Sequence, residues 1–320
     1  MTINNVKVSI VCDTYNQEDY IEDALKSFIN QKTNFDYEIL VHDDASNDNT
    51  ASIIKEYANR YPDLIKPMIQ KENQYSKGVS IMDIQLERAK GKYIAFCEGD
   101  DFWTDEHKLQ IQYDILEKHP NIDMVAHDVV TIDGKTKEKK GMISPSNRER
   151  ILTIEEVLLG GGGYLGTNSL FFRKEILFPK PPIRKKLELD YTIQISGALK
   201  GGIYFIPKVM SAYRVCAKGS WTREMLKNRN KLIEMQDKII DMLNFFNDDT
   251  DFQYDDTVKE TIRKIEFNKA EINDDIKLLK SDKFKDLYNN FSLGKKIKME
   301  IKVFFPFLKK IKTSLVLRGK

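Results

Sequence analysis

Three features of the sequence predict an α/β fold with a mainly parallel sheet flanked by helices and a helical region at the C-terminus. Between residues 6 and 132, short apolar runs alternate with stretches of helical spacing, the order that builds right-handed strand–helix–strand units. The apolar runs end on polar clusters, as strand ends do where an open sheet forms a ligand crevice. After residue 221 the strand-like runs cease and long stretches of three-and-four spacing take over.

Each element has its own warrant. Val6 to Val11 is an apolar run suited to a buried strand, followed by the polar turn Cys12, Asp13, Thr14, Tyr15 and Asn16. Tyr20, Ile21, Ala24, Leu25, Phe28 and Ile29 fall on one helical face. Glu38 to Val41 predicts a second strand ending at His42, Asp43 and Asp44, and Asp48 or Asn49 caps a helix carrying Ile53, Ile54 and Tyr57. Ile65 to Gln70 predicts a third strand, which Pro67 pushes to an edge or a bulge. A helix from Val79 to Lys90 stops at Gly91, and the strand Tyr93 to Cys97 runs directly into Glu98, Gly99, Asp100 and Asp101.

Three carboxylates within four residues repel one another unless something positive joins them. Mg²⁺ or Mn²⁺ suits the place, because such ions take one or two protein carboxylates and share their remaining positions with phosphate oxygens. The competing reading is a solvated acidic turn with Asp105 capping the next helix. The polar ends of the first, second and fourth strands pointing the same way favour a ligand cleft.

Composition narrows the class. The 320 residues exceed one average domain and suit an enlarged α/β domain with an appendage, and 41% hydrophobic content supports a real core. Lys and Arg total 51 against 49 Asp and Glu, a balance that gives no nucleic-acid signature. Cys12, Cys97 and Cys216 lie far apart, which fits buried thiols in a reducing, cytoplasmic setting better than a disulfide frame. No basic-then-apolar leader opens the chain, and nowhere do about 18 apolar residues run together, so no membrane span is expected.

The segments Ser9 to Asn16, Glu38 to Thr50, and Phe96 to Asp101 followed by Trp103 and Lys108 together resemble family 2 glycosyltransferases with the GT-A fold. The resemblance covers about residues 5–220. It implies transfer of a sugar, with inversion, from a nucleotide diphosphate donor, usually UDP-linked. By the same resemblance Asp13, Thr14, Tyr15, Asn16 and Asp43 or Asp44 line the nucleoside pocket. Glu98, Gly99 and Asp100 take the place of the DXD motif, with Glu98 facing the ribose or the metal and Asp100 as the metal ligand. Two departures stand out: Asp13 replaces a common proline, and Glu98 replaces the first aspartate of DXD.

Such chemistry also requires a base separate from the metal carboxylates, to take the proton of the acceptor hydroxyl. Leu187 to Tyr191 opens a helix and resembles the stretch that carries this base in the family. Asp190 is the choice for that role and Glu188 the alternate; acidic residues complementing a helix dipole are the structural alternative. Ile122 to Ile132 predicts another strand, Asp133 to Gly141 a Lys-rich loop, and residues 151–159 a helix. Gly160 to Gly163 then predicts a loop, either a lid on the acceptor side or a plain surface loop. His42 and His127 have no matching ligand set and are expected to be packed. Ile203 to Pro207 predicts a strand, and Tyr213-Arg214 with Lys218 to Trp221 resembles the family's closing segment, where Arg214 or Lys218 holds a phosphate oxygen or forms a surface ion pair.

The predicted organisation is therefore a catalytic domain over 1–221, a helical extension over 222–293 and a basic amphipathic tail over 294–320. In the extension, Met225 to Phe246 predicts one helix, and Val258, Ile262, Ile265, Ile272, Ile276 and Leu279 a second, packed on each other or on a second copy of the chain. The tail holds nine Lys or Arg against Glu300 alone, interleaved with apolar residues and broken by Pro306. That pattern suits the inner face of an anionic membrane, or docking on the protein's own surface. The expected acceptor is a glycan or a lipid-linked glycan of capsule-like surface polysaccharide synthesis. The rival readings are a sugar-nucleotidyltransferase, which wants a Gly-rich, Arg- or Lys-bearing loop that Cys12 to Asn16 is not, and a non-catalytic carbohydrate-binding module.

Overall fold

The structure, a computed structural model, describes residues 6–215, 217, 225 and 228–304; Cys216, Lys218, Trp221 and the segment 305–320 lie outside the described residues. The chain divides into two compact units, with the boundary between Lys227 and Asn228.

The first unit contains β1 (Val6–Thr14), α1 (Ile21–Ile29), β2 (Asp36–Asp43), α2 (Thr50–Arg60), β3 (Ile65–Ile69), α3 (Ile81–Arg88), β4 (Tyr93–Phe96), β5 (Phe102–Trp103), α4 (Lys108–Lys118), β6 (Met124–Asp133), β7 (Lys139–Ile143), β8 (Arg150–Leu152), α5 (Ile154–Gly160), β9 (Phe171–Arg173), α6 (Pro182–Lys186), α7 (Asp190–Ala198) and β10 (Ile203–Val215). Ten strands form one sheet in the order β3-β2-β1-β4-β9-β6-β10-β5, with β7 on β6 and β8 on β10. The first four in that order are all parallel, as their alternation with helices predicts. β9 then enters antiparallel to both β4 and β6, and β10 runs parallel to β6. The α/β class thus holds, with a mixed half added to the parallel one.

Burial explains the parallel half. Val8, Ile10, Ile39, Val41, Tyr93 and Ala95 are enclosed with Ala24, Leu25 and Phe28 of α1 and Leu109 and Leu116 of α4. Strands covered by helices need continuous apolar runs rather than alternation. Pro67 sits in β3, the edge strand, where a missing N–H is tolerated.

Several expected elements shift. Residues 151 and 152 belong to β8, and the helix begins at Ile154 behind a Thr153–Glu156 capping box. The loop expected from Asp133 to Gly141 is a tight turn that enters β7. The strand expected to stop at Pro207 continues to Val215, with irregular register between Ile206 and Ser211 absorbing the proline. Asp105 does not cap α4; it pairs with Lys208 at 2.5 Å and accepts from the His107 N–H. His42 and His127 are buried, as expected of packed histidines.

The second unit contains α8 (Arg229–Asp249), α9 (Asp255–Ile272), α10 (Ile276–Leu279), α11 (Lys285–Asn289) and α12 (Leu293–Phe304). The single helix expected through Leu279 breaks after Ile272, where Asp274 adopts φ +55° and the Asp275 side chain caps the next turn by accepting from the Leu278 N–H. Phe267, Ala270, Ile276, Leu279, Phe284, Tyr288 and Met299 form this unit's own core.

Candidate active site

The register of the parallel strands gathers the polar ends. Thr14 of β1 lies opposite Asp43 of β2, and Val11 opposite Phe96 of β4. Beyond the strands the pairing persists: the Asp44 N–H donates to the Thr14 carbonyl at 3.0 Å, and the Gly99 N–H to the Asp13 carbonyl at 3.0 Å. The acidic turn therefore lies against the end of β1. A Cβ on Gly99 would stand 2.5 Å from Gln17 Oε1 and 2.9 Å from Thr14 Cβ, so only glycine allows this approach.

The three carboxylates of the turn separate into two roles. Asp101 faces inward, accepting from the Arg214 N–H at 2.8 Å and from Asn168 Nδ2 at 2.9 Å. Asn168 also donates to the Ala212 carbonyl and accepts from Ser211 Oγ, and its carbonyl receives the Trp103 indole N–H. The turn is thereby fixed to β10 and to the 167–169 segment. Glu98 and Asp100 remain half-buried at the cleft.

Asp190 opens α7, and Thr167 Oγ1 donates a hydrogen bond to its Oδ2. The glycine loop lies beside it. Gln194 Nε2 donates to the Gly162 carbonyl at 2.9 Å, Tyr191 holds the Leu158 carbonyl at 2.6 Å, and the Tyr164 ring occupies the space a side chain at Gly160 would need.

Electrostatics show that these segments converge. Burial first, then the charges of Asp190, Asp100, Asp101 and Asp13, push Glu98 well above the usual carboxylate range. Asp13 is pushed up to about 7, mainly by burial and further by Asp44 and Glu188, against a hydrogen bond from Gln85. Burial raises Asp100 and Asp190 as well. Charges of one sign meet here, from β1, the β4 turn and the start of α7.

The remaining expected site residues are placed as follows. Tyr15 is 43% exposed, just beyond the end of β1. Asn16, at φ +53°, accepts from the Asn47 N–H and donates its own N–H to Ser46 Oγ. Thr14 Oγ1 is buried with no hydrogen-bond partner among the described residues. Both Asp43 oxygens are engaged by Ser46, and Asp44 accepts from the Gln74 and Tyr75 N–H groups at 2.7 and 3.0 Å. Glu188 is exposed and joined to Arg184, Lys180 and Ser80. Arg214 has no exposed side-chain surface. Its guanidinium binds the Asp23 carboxylate and the Asp100 carbonyl between the rings of Tyr20 and Phe102, so it braces the turn from beneath rather than facing the cleft. Lys218 lies outside the described residues.

Residues 9–177 match the profile of glycosyl transferase family 2. The chain belongs to that family. An uncharacterized protein of Mycobacterium tuberculosis is 37% identical over 216 residues, 67% of this chain and 60% of that protein, so the chain spans about 60% of that relative's length. A putative teichuronic acid biosynthesis glycosyltransferase of Bacillus subtilis, TuaG, is 30% identical over 133 residues, 41% of this chain and 51% of that protein. Among solved structures, Staphylococcus aureus TarS 1–349 in complex with UDP-GlcNAc superposes with a TM-score of 0.55 at 16% identity, over 83% of this chain and 81% of that one. The first unit is thus a family 2 GT-A domain, a Rossmann-like sheet with its cleft at the strand ends.

In this family 2 domain, sequence reasoning missed Thr167, Asn168, Gln85 and Asp23 as parts of the site's frame, and it named Lys108 only within a motif, without a place in that frame. Gln85 lies inside α3 and donates to the Cys12 and Leu40 carbonyls and to Asp13. Lys108 is enclosed beneath the turn, bonded to Gln112 at 2.7 Å and set 4.1 Å from the Trp103 ring, and burial lowers its pKa to about 7. Nothing in the local pattern marks Gln85, because its partners come from distant strands. Among the described residues no three His, Cys, Asp or Glu side chains converge closely enough to hold an ion unaided. The crowding of like charge around Glu98 and Asp100 nevertheless fits a divalent cation that is completed by phosphate oxygens. The Arg214 guanidinium, a strong positive group near them, is committed to Asp23 and a carbonyl.

Proposed function

We propose that the chain is an inverting glycosyltransferase that moves a hexosyl or N-acetylhexosaminyl group from a nucleoside diphosphate donor, a UDP-sugar first, to a hydroxyl of a glycan or lipid-linked glycan in surface polysaccharide synthesis. The observation that carries this reading is the meeting of carboxylates from different elements: Glu98 and Asp100 on the β4 turn, and Asp190 at the start of α7, close enough for its charge to act on Glu98. Support for a uridine donor and a surface glycan comes from the UDP-GlcNAc held by TarS and from the teichuronic acid role given for TuaG.

The roles follow from the chemistry. The bond between the sugar's anomeric carbon and the diphosphate oxygen breaks, its electron pair leaves with the diphosphate, and the acceptor oxygen bonds to that carbon from the opposite face. Mn²⁺ or Mg²⁺, held by Asp100 with Glu98, would supply neutralisation of the charge that grows on the departing diphosphate. Asp190 takes the acceptor proton, and Thr167 keeps its second oxygen occupied so that one is aimed at the hydroxyl. Glu188, bound to two cations, is less suited to that task. The β1 end with Tyr15, and the segment that Asp44 fixes, form the nucleoside side of the cleft.

Calorimetry with UDP, GDP, CDP and ADP, each with and without Mn²⁺, tests the reading. One nucleotide should bind tightly only with metal present. No binding by any of them would move the weight to a non-catalytic module.

A further inference from the structure

We propose that α12 docks the chain on an anionic lipid surface through the row Leu293, Ile297 and Ile301. Met299, on the opposite side of this helix, is buried in the second unit's core. Leu293, Ile297 and Ile301 are 73%, 47% and 44% exposed. Residues four apart advance about 40° around a helix, so the three form one stripe along the outer face. The inner face is settled, because Lys295 reaches Glu271 and Lys296 the Asn289 carbonyl. Lys298 is exposed beside the stripe.

Charge selects the occupant. Of the chain's 51 basic residues nine fall in 294–320, but of its 49 acidic residues only one does, so the remainder of the chain is net negative while this segment is strongly positive. A single helical row of three side chains is far short of the ~800 Å² per partner that a stable protein interface buries. A bilayer interface asks for no more than such a stripe with lysines at headgroup level. No helix among the described residues is long and apolar enough to cross a membrane; the geometry is that of a helix lying on the surface. The inference deepens the proposed function by naming where a lipid-linked acceptor is met, and it rests on that reading for this point alone.

The test is sedimentation of the full chain with vesicles of phosphatidylcholine, and of phosphatidylcholine and phosphatidylglycerol in equal parts. The chain should sediment with the anionic vesicles and not the neutral ones. Ile297→Ser with Ile301→Ser should lower the partition tenfold or more, and Lys298→Glu about tenfold, each with an unchanged circular dichroism spectrum because the replaced groups face solvent. No binding to anionic vesicles, or equal binding by the variants, overturns the proposal. A lipid-free dimer that the isoleucine variant abolishes also overturns it, since a second copy would then cover the stripe. Nucleotide calorimetry on the same preparation separates the claims: vesicle binding without nucleotide binding leaves this inference standing and removes the proposed activity.

Discussion

Asp100 and Asp190 stand on different elements, and substitutions should separate them. Asp100→Asn removes one charge from the turn and, on the proposed metal-holding role, should abolish metal-dependent nucleotide binding together with turnover, as read by calorimetry and by a donor-release assay. Asp190→Asn should keep nucleotide binding within about twofold while lowering kcat by about 10²–10⁴. Thr167→Val deletes a hydrogen bond to a carboxylate and should lower kcat about tenfold with little change in the KM for donor, whereas Thr167→Ser should restore it. At this scale the carboxylates at the strand ends were legible, because they directly follow apolar runs. Their supports were not. Asp101 looks identical to Asp100 in the sequence, and only Asn168 and the Arg214 N–H, from far along the chain, decide that it turns inward.

Among the elements, periodicity predicted those whose register is local. α1, α2 and the strands β1 to β4 follow from apolar spacing, because each buries a continuous face. β5 and β9 were invisible, being two and three residues long and meaningful only through the strands beside them. β9 brings with it the 167–169 segment. Asn168→Ala would leave Asp101 buried with one donor fewer and deprive Ser211 and the Ala212 carbonyl of a partner. A loss of about 2–4 kcal/mol is expected, measurable by urea unfolding, and nucleotide affinity should fall with it because the turn bearing Glu98 and Asp100 loosens.

The stability of the whole molecule should carry the mark of Lys108. Its pKa is lowered to about 7 by burial, against about 10.4 in an unfolded chain. Between those values the unfolded chain holds a proton that the folded one lacks, so this group makes folding more favourable as pH rises from about 7 to about 10. Below pH 7 the folded state must instead enclose an ammonium. Lys108→Met should therefore melt above the wild type near pH 6, and the advantage should shrink steadily toward pH 10. A constant difference across that range would show that Lys108 does not titrate in the fold. The change of pattern after residue 221 led to an expected division at 221 and again at 294; the chain's own contacts group it into two units that meet between Lys227 and Asn228.

Asn168 and Thr167 are neighbours in the chain, yet one grips the turn that bears Glu98 and Asp100, and the other grips Asp190. The turn bearing Glu98 and Asp100 and the helix start bearing Asp190 thus share a single mount, two residues wide. A mount so short ties the span between the two groups of carboxylates to one stretch of backbone. Changing that span calls for lengthening the backbone between the two grips, where an inserted residue would uncouple them while leaving every carboxylate in place.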